Sequence, residues 1–170
     1  MKSRKTTYDH FAEEELSIVE EAAVAYNISN KNITGPLALL GIYNYGIESV
    51  ADFISYIREG IPKKALNHLA EVMALSDAEL SAVLHISDRT LRRYTSSQKL
   101  NPEQSERVLE LARLYARGAD VFEDMESFKL WMESPVGALG NKKPKSFLDT
   151  SMGIALLIEE LGRIEHGIFA

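Results

Sequence analysis

Two helix starts set close together constrain this chain more than any other feature. At Ser76-Asp77-Ala78-Glu79 a serine and a glutamate stand in the spacing of a capping box, and Leu75 can close a hydrophobic staple onto Leu80. At Ser87-Asp88-Arg89-Thr90, Ser87 can cap a second helix while Ile86 staples onto Leu91. Only His85-Ile86-Ser87 lies between the two helices. A short helix, a tight turn and a second helix make the helix-turn-helix pattern, with Leu80, Val83, Leu84, Ile86 and Leu91 as its buried faces. One departure stands in the turn. His85 occupies a place where such units often carry glycine.

Nearly every other segment also reads as helix, and no run shows period-two alternation. Phe11–Tyr26 places Leu16, Val19, Ala23 and Tyr26 at helical spacing, with Glu13–Glu15 near the end that favours negative charge. Gly35-Pro36 opens a short apolar helix, and Val50, Phe53, Ile54 and Ile57 mark another, stopped by Gly60 and Pro62. Pro62–Leu75 follows with Leu66, Leu69, Ala70 and Met73 on one face. Asn101-Pro102 starts a helix with core stripe Val108, Leu111, Ala112 and Tyr115, which Gly118 can close. Beyond it, Met125–Glu133 is amphipathic and bears Phe128 and Trp131, and Ser134–Ser146 is a Gly/Pro/Lys loop. Phe147–Glu165 is a last helix with Ile154, Leu157, Ile158 and Leu161 inward, Leu148-Asp149-Thr150 being able to supply its N-cap. Phe128 and Trp131, at i and i+3 on a short helix, are both expected in the core. The expected fold is all-α. It divides into a helical extension over 1–56, a helix-turn-helix domain over 57–118 and a small helical domain over 119–170.

Composition removes several classes of function. Cysteine is absent, which excludes disulfides, thiolate metal sites and thiol nucleophiles. His10, His68, His85 and His166 are scattered, without a His-x-x-x-His pair, so no metal site is expected. No Walker loop, GxGxxG or Gly-x-Ser-x-Gly motif occurs, and neither an enzyme nor a bound cofactor is expected. No apolar run approaches the ~20 residues of a membrane span, and the basic N-terminus runs into acidic Phe11–Glu21 rather than an apolar stretch. A cytoplasmic protein without a membrane partner is the expectation.

The formal net charge is −6, which by itself disfavours nucleic acid, yet the charge is unevenly spread. Ser87–Lys99 sets Arg89, Arg92, Arg93 and Lys99 against Asp88 alone, whereas Ala119–Gly140 sets five carboxylates against Lys129. Only the surface that faces phosphate has to be positive. Arginine gives bidentate hydrogen bonds to phosphate or guanine, and serine or threonine at a helix start reaches phosphate oxygens. Ser87, Arg89, Thr90, Arg92, Arg93 and Lys99 are therefore the candidate DNA contacts. A helix pair used only for internal packing is the competing reading.

Towards the C-terminus, Trp131-Met132-Glu133-Ser134-Pro135, Leu139-Gly140, Pro144, Leu148-Asp149-Thr150, Gly153 and Arg163-Ile164-Glu165-His166-Gly167 form a spaced array of special residues. A helical hairpin that closes the core would account for most of them. It would not account for Ile168-Phe169-Ala170, an apolar end to the sequence. This array resembles the toxin-binding domain of Xre/MbcA/ParS-type antitoxins. Upstream, Arg58-Glu59-Gly60-Ile61-Pro62 and Ser87-Asp88-Arg89-Thr90-Leu91-Arg92-Arg93 resemble the Xre-like helix-turn-helix half of the same family. The resemblance runs from about residue 57 to 170.

That resemblance implies an antitoxin whose partner is a cognate RES-type toxin, which consumes NAD or transfers ADP-ribose from it. The antitoxin would block the toxin's active site and also repress its own operon. Operator DNA is the second expected partner, bound by a homodimer because one recognition helix reads only a half-site. Leu139, Gly140, Arg163, Glu165, His166, Gly167, Ile168, Phe169 and Ala170 are the candidate toxin contacts: Gly167 allows a sharp exit from the last helix, Phe169 and the Ala170 carboxylate suit a cleft, and Arg163 and Glu165 suit its rim. A helix-turn-helix repressor whose C-terminal domain serves only dimerisation is the alternative.

Overall fold

The computed structural model describes residues 35–42 and 50–167. The expected Phe11–Tyr26 helix and the segment Ile168–Ala170 lie outside them. A short helical segment at 35–39 (α1) precedes α2 (Val50–Glu59), α3 (Lys63–Met73), α4 (Asp77–Val83) and α5 (Asp88–Arg93). Then come α6 (Pro102–Phe122), α7 (Met125–Glu133) and α8 (Ser151–Glu165), with two 3-10 turns at Gly137–Leu139 and Pro144–Phe147. Among the described residues the extended pairings are isolated bridges, Pro62 to Lys99 and Val136 to Lys142. No described helix is long and apolar enough to cross a membrane.

Helix α6 is the axle of the molecule. Asn101 caps it, its side chain accepting from the Gln104 N–H at 2.8 Å while Gln104 returns the bond, and Pro102 sits where its missing N–H costs nothing. Val108, Leu111, Ala112, Leu114 and Tyr115 are all buried along it. Helices α2 and α3 pack on it from the N-terminal half, and α7 and α8 from the C-terminal half. One apolar core therefore runs through both halves.

α2 ends at Gly60, where φ is 94° and a Cβ would lie 2.2 Å from the Leu100 carbonyl oxygen. Only glycine allows that approach. It lets the chain after α5 lie along the start of α3: Leu100 N–H donates to Ile61, Lys63 N–H to Gln98 and Lys64 N–H to Ser96. The Ile61 N–H is taken up by the buried Ser105 hydroxyl of α6 at 3.0 Å.

Several sequence expectations need correction. Gly118 does not close α6. The helix continues to Phe122 and ends at Glu123, whose φ of 60° is left-handed. Gly118 instead makes room for Phe128, since a Cβ there would sit 2.4 Å from the Phe128 ring. On α7 the second core residue is Met132, not Trp131. Trp131 is half-buried, stacked on Phe128 at 5.8 Å and beside Phe122, because the fully buried stripe runs i, i+4 from Phe128. Phe147 belongs to a 3-10 turn rather than to the last helix, which Thr150 caps by accepting from the Gly153 N–H at 3.0 Å. Ile54 and Ile158 point outward, at 43% and 40% exposure, while Phe53, Ile57, Leu157 and Leu161 fill the core.

Candidate functional site

The helix-turn-helix forms as its caps dictate. Ser76 accepts from the Glu79 N–H, and Glu79 Oε2 accepts from the Ser76 N–H at 2.8 Å. Ser87 accepts from the Thr90 N–H at 3.1 Å, and the two hydroxyls lie 2.8 Å apart. His85 takes the left-handed conformation, φ 53°, that glycine would adopt in this turn. Its side chain serves elsewhere: Nε2 donates to the Asp149 carbonyl oxygen at 2.9 Å, across the molecule.

Helix α5 is six residues long. It stops at Arg93, because Tyr94 turns to extended backbone with ψ 127°. Leu91 is its one buried residue. Ser87, Arg89, Thr90, Arg92 and Arg93 are all exposed, and Arg89, Arg92 and Arg93 share a shallow depression with Asp88. Arg92 lies 3.7 Å from Asp77, an exposed ion pair that phosphate could readily replace. Lys99 is exposed but lies apart from that depression. It pairs with Glu59 at 3.3 Å and lines a groove of about 520 Å³ with Tyr56, Lys64 and Ser97.

The C-terminal candidates are distributed differently. Leu139 is buried and anchors the loop between α7 and α8, while the adjacent Gly140 is exposed with φ 67°. At the end of α8, Arg163 pairs with the buried Glu160 at 2.9 Å, and Glu165 with Arg117 of α6. His166 forms the C-cap and Gly167, at φ 66°, turns the chain off the helix. Arg163, Glu165, His166 and Gly167 are exposed. Ile168, Phe169 and Ala170 lie beyond the described residues.

Sequence spacing did not reveal the polar contacts that tie the two halves together. Lys145 Nζ reaches Glu79 Oε1 on α4 at 2.7 Å and Glu133 Oε1 on α7 at 2.6 Å. Burial pushes the Lys145 ammonium down, but its bonds to Glu133 and Glu79 outweigh that and hold it above the usual lysine value. Arg107 of α6, almost fully covered, donates to the Val83 carbonyl oxygen, Glu110 and Ser151 Oγ. Among the described residues no group of acidic or histidine side chains could hold a metal ion.

Residues 52–113 match the family model for the antitoxin Xre-like helix-turn-helix domain, and residues 117–167 match that for the antitoxin Xre/MbcA/ParS C-terminal toxin-binding domain. The chain belongs to the Xre/MbcA/ParS antitoxins. An antitoxin Xre from Yersinia enterocolitica is 29% identical over 119 residues, covering 69% of this chain and 80% of the relative. The Prs ADP-ribosylating antitoxin of Sphingobium sp. strain YBL2 is 29% identical over 147 residues, covering 81% and 91%. A chain of the M. tuberculosis MbcT–MbcA toxin–antitoxin complex superposes with a TM-score of 0.46 at 20% identity, over 64% of this chain and 96% of that one. The protein is thus the antitoxin of a toxin–antitoxin system, built from a helix-turn-helix and a toxin-binding domain. A plain repressor with a C-terminal domain for dimerisation alone does not fit the second match.

Proposed function

We propose that this antitoxin acts in the cytoplasm by occupying the active site of a cognate RES-type toxin, one that consumes NAD or transfers ADP-ribose from it. It also binds its own operator as a homodimer and represses the operon. The observation that carries the neutralisation reading is the exit of α8. Exposed Arg163, Glu165 and His166 lead to Gly167, whose left-handed φ of 66° turns the chain off the helix just before the apolar sequence Ile168-Phe169-Ala170. A pocket for NAD is concave and offers donors to the pyrophosphate, so a narrow segment with an apolar residue such as Phe169 suits it. The name of the Sphingobium relative supports ADP-ribosyl chemistry on the partner's side. Exposed Gly140 lies on the same domain and completes the proposed surface, while buried Leu139 holds its loop in shape.

The operator reading rests on the outward set Ser87, Arg89, Thr90, Arg92 and Arg93, with Leu91 alone turned inward. Lys99 supplies phosphate contact at the edge once DNA competes with Glu59.

One experiment tests both halves by pairing two variants. Deleting Gly167–Ala170 is expected to leave the fold and operator binding intact but to let a co-expressed toxin deplete cellular NAD. Arg92→Ala with Arg93→Ala is expected to preserve NAD yet weaken binding to the upstream DNA by about tenfold or more at moderate salt. Full NAD protection by the truncated chain would remove the tail from the mechanism. Unchanged DNA affinity in the arginine variant would remove α5 from it.

A further inference from the structure

Helix α4 is gripped at both ends by one short stretch of the toxin-binding domain. At its N-terminal end, Glu79 divides its two oxygens: Oε2 takes the Ser76 N–H of the capping box, and Oε1 takes Lys145 Nζ at 2.7 Å. At its C-terminal end, the turn residue His85 donates to the Asp149 carbonyl at 2.9 Å. The Val83 carbonyl receives Arg107 Nε, and the same guanidinium holds Ser151 Oγ at 2.7 Å. Residues 145–151 thus bracket the helix from outside the matched helix-turn-helix domain, which spans residues 52–113.

The bracket matters because of what α4 carries. The recognition helix α5 has six residues and buries only Leu91, and it packs on α4. So short a helix has little intrinsic stability, and its tilt follows that of its support. On its other side the chain that follows it is tied through the backbone of Ser96, Gln98 and Leu100 to Ile61 and the start of α3. A shift of α4 would therefore be passed directly to Arg89, Arg92 and Arg93.

We propose that residues 145–151 of the toxin-binding domain form a clamp on α4 that sets the pose of α5, so that Lys145 and His85 are positioning residues for DNA recognition without touching DNA. The toxin-binding domain is then part of the DNA-reading apparatus and not a passenger on it. This rests on the operator-binding reading above for its function, though not for the clamp itself.

The test uses the full chain with Lys145→Met, which keeps the aliphatic stem, combined with His85→Asn, a residue that tolerates the positive φ of the turn. Hydrogen exchange without DNA is expected to quicken at residues 80–91 while α6 and α8 keep their protection. Affinity for the upstream DNA, read by fluorescence anisotropy, is expected to fall about three- to tenfold with the salt slope unchanged, since no phosphate contact is lost. Lys145→Arg should restore most of it. Unchanged exchange at 80–91 overturns the clamp whatever the DNA result. A shallower salt slope, like that of the Arg92/Arg93 variant, would make Lys145 a phosphate contact and overturn the positioning role. Failure of the wild-type chain to bind the upstream DNA sinks the operator reading alone, and the exchange data still decide the clamp.

Discussion

The α4–α5 pair and the α6–α8 pair use opposite means to become ordered. In α8 five residues of fifteen are buried, Gly153, Ile154, Leu157, Glu160 and Leu161, and the helix lies along the apolar face of α6. In α5 one residue of six is buried, and order comes from the Ser87 cap and from its neighbour α4. A helix that presents its side chains to a partner gives up the burial that would hold it. The α4–α5 pair therefore relies on its caps and on its neighbours for stability, whereas the C-terminal half supplies its own.

The comparison predicts where single changes should hurt most. Gly118 lies at a point of close packing in the C-terminal half, with the Phe128 ring edge-on to Tyr115 at 5.1 Å and stacked on Trp131. In an exposed helix Gly→Ala gains up to ~1 kcal/mol. Here the added Cβ would fall 2.4 Å from the Phe128 ring, so that gain is overridden. Gly118→Ala is expected to destabilise the fold by about 1–3 kcal/mol, seen as a lower Tm. Adding Phe128→Leu should recover part of the loss. A raised Tm for Gly118→Ala alone would show that the two helices are not packed this tightly.

Gly118 also marks what could and could not be read from the sequence. The caps at Ser76 and Ser87 were legible because each joins residues three apart, within a spacing that local chemistry fixes, while Pro102 and the run Leu148-Asp149-Thr150 marked the starts at Asn101 and Thr150. The roles of Gly118, Met132 and Ile158 were not, because each depends on which helix lies opposite. A glycine late in an amphipathic run reads as a stop unless the ring that needs its space is known. Of the candidate DNA residues, the arginines of α5 follow from one buried position, Leu91, whereas the separation of Lys99 from them depends on the Pro62 bridge. Lys145, distant in sequence from both Glu79 and Glu133, left no local signal at all.

The same cap chemistry at two places sharpens the contrast. Ser87→Ala and Thr150→Ala each remove one hydroxyl that accepts a helix-start N–H, a loss of about 1 kcal/mol. In α8 the packed face couples the cap to the whole fold, so Thr150→Ala should lower the Tm by a few degrees. In α5 the loss should remain local. Ser87→Ala is expected to speed hydrogen exchange around Leu91 with little change in Tm. Equal Tm shifts in the two variants would mean that α5 is as firmly coupled to the core as α8.

The smallest expected effect is electrostatic, and it tests the contact that joins the two regions. Glu133 is held below the ordinary 4.5 chiefly by its hydrogen bond from Lys145. For Glu79, burial pushes upward, but the bonds from Lys145 and Ser76 outweigh it and the net shift is also down. Carboxylates lowered in the folded state contribute stability that is fully present above 4.5 and lost as pH falls through their depressed values. Lys145, raised in the folded state, contributes stability that is present below 10.5 and lost as pH rises through its elevated value. The triad is thus intact across the whole neutral range and decays only at its two ends. All three side chains touch solvent, which screens the pairing to roughly 0.2–1 kcal/mol. Lys145→Met should therefore lower stability slightly at neutral pH and flatten the acid limb, with the difference from wild type shrinking as salt is added. An acid limb of unchanged steepness in that variant, measured by urea unfolding from pH 3 to 6, would assign the acid sensitivity to carboxylates outside the triad.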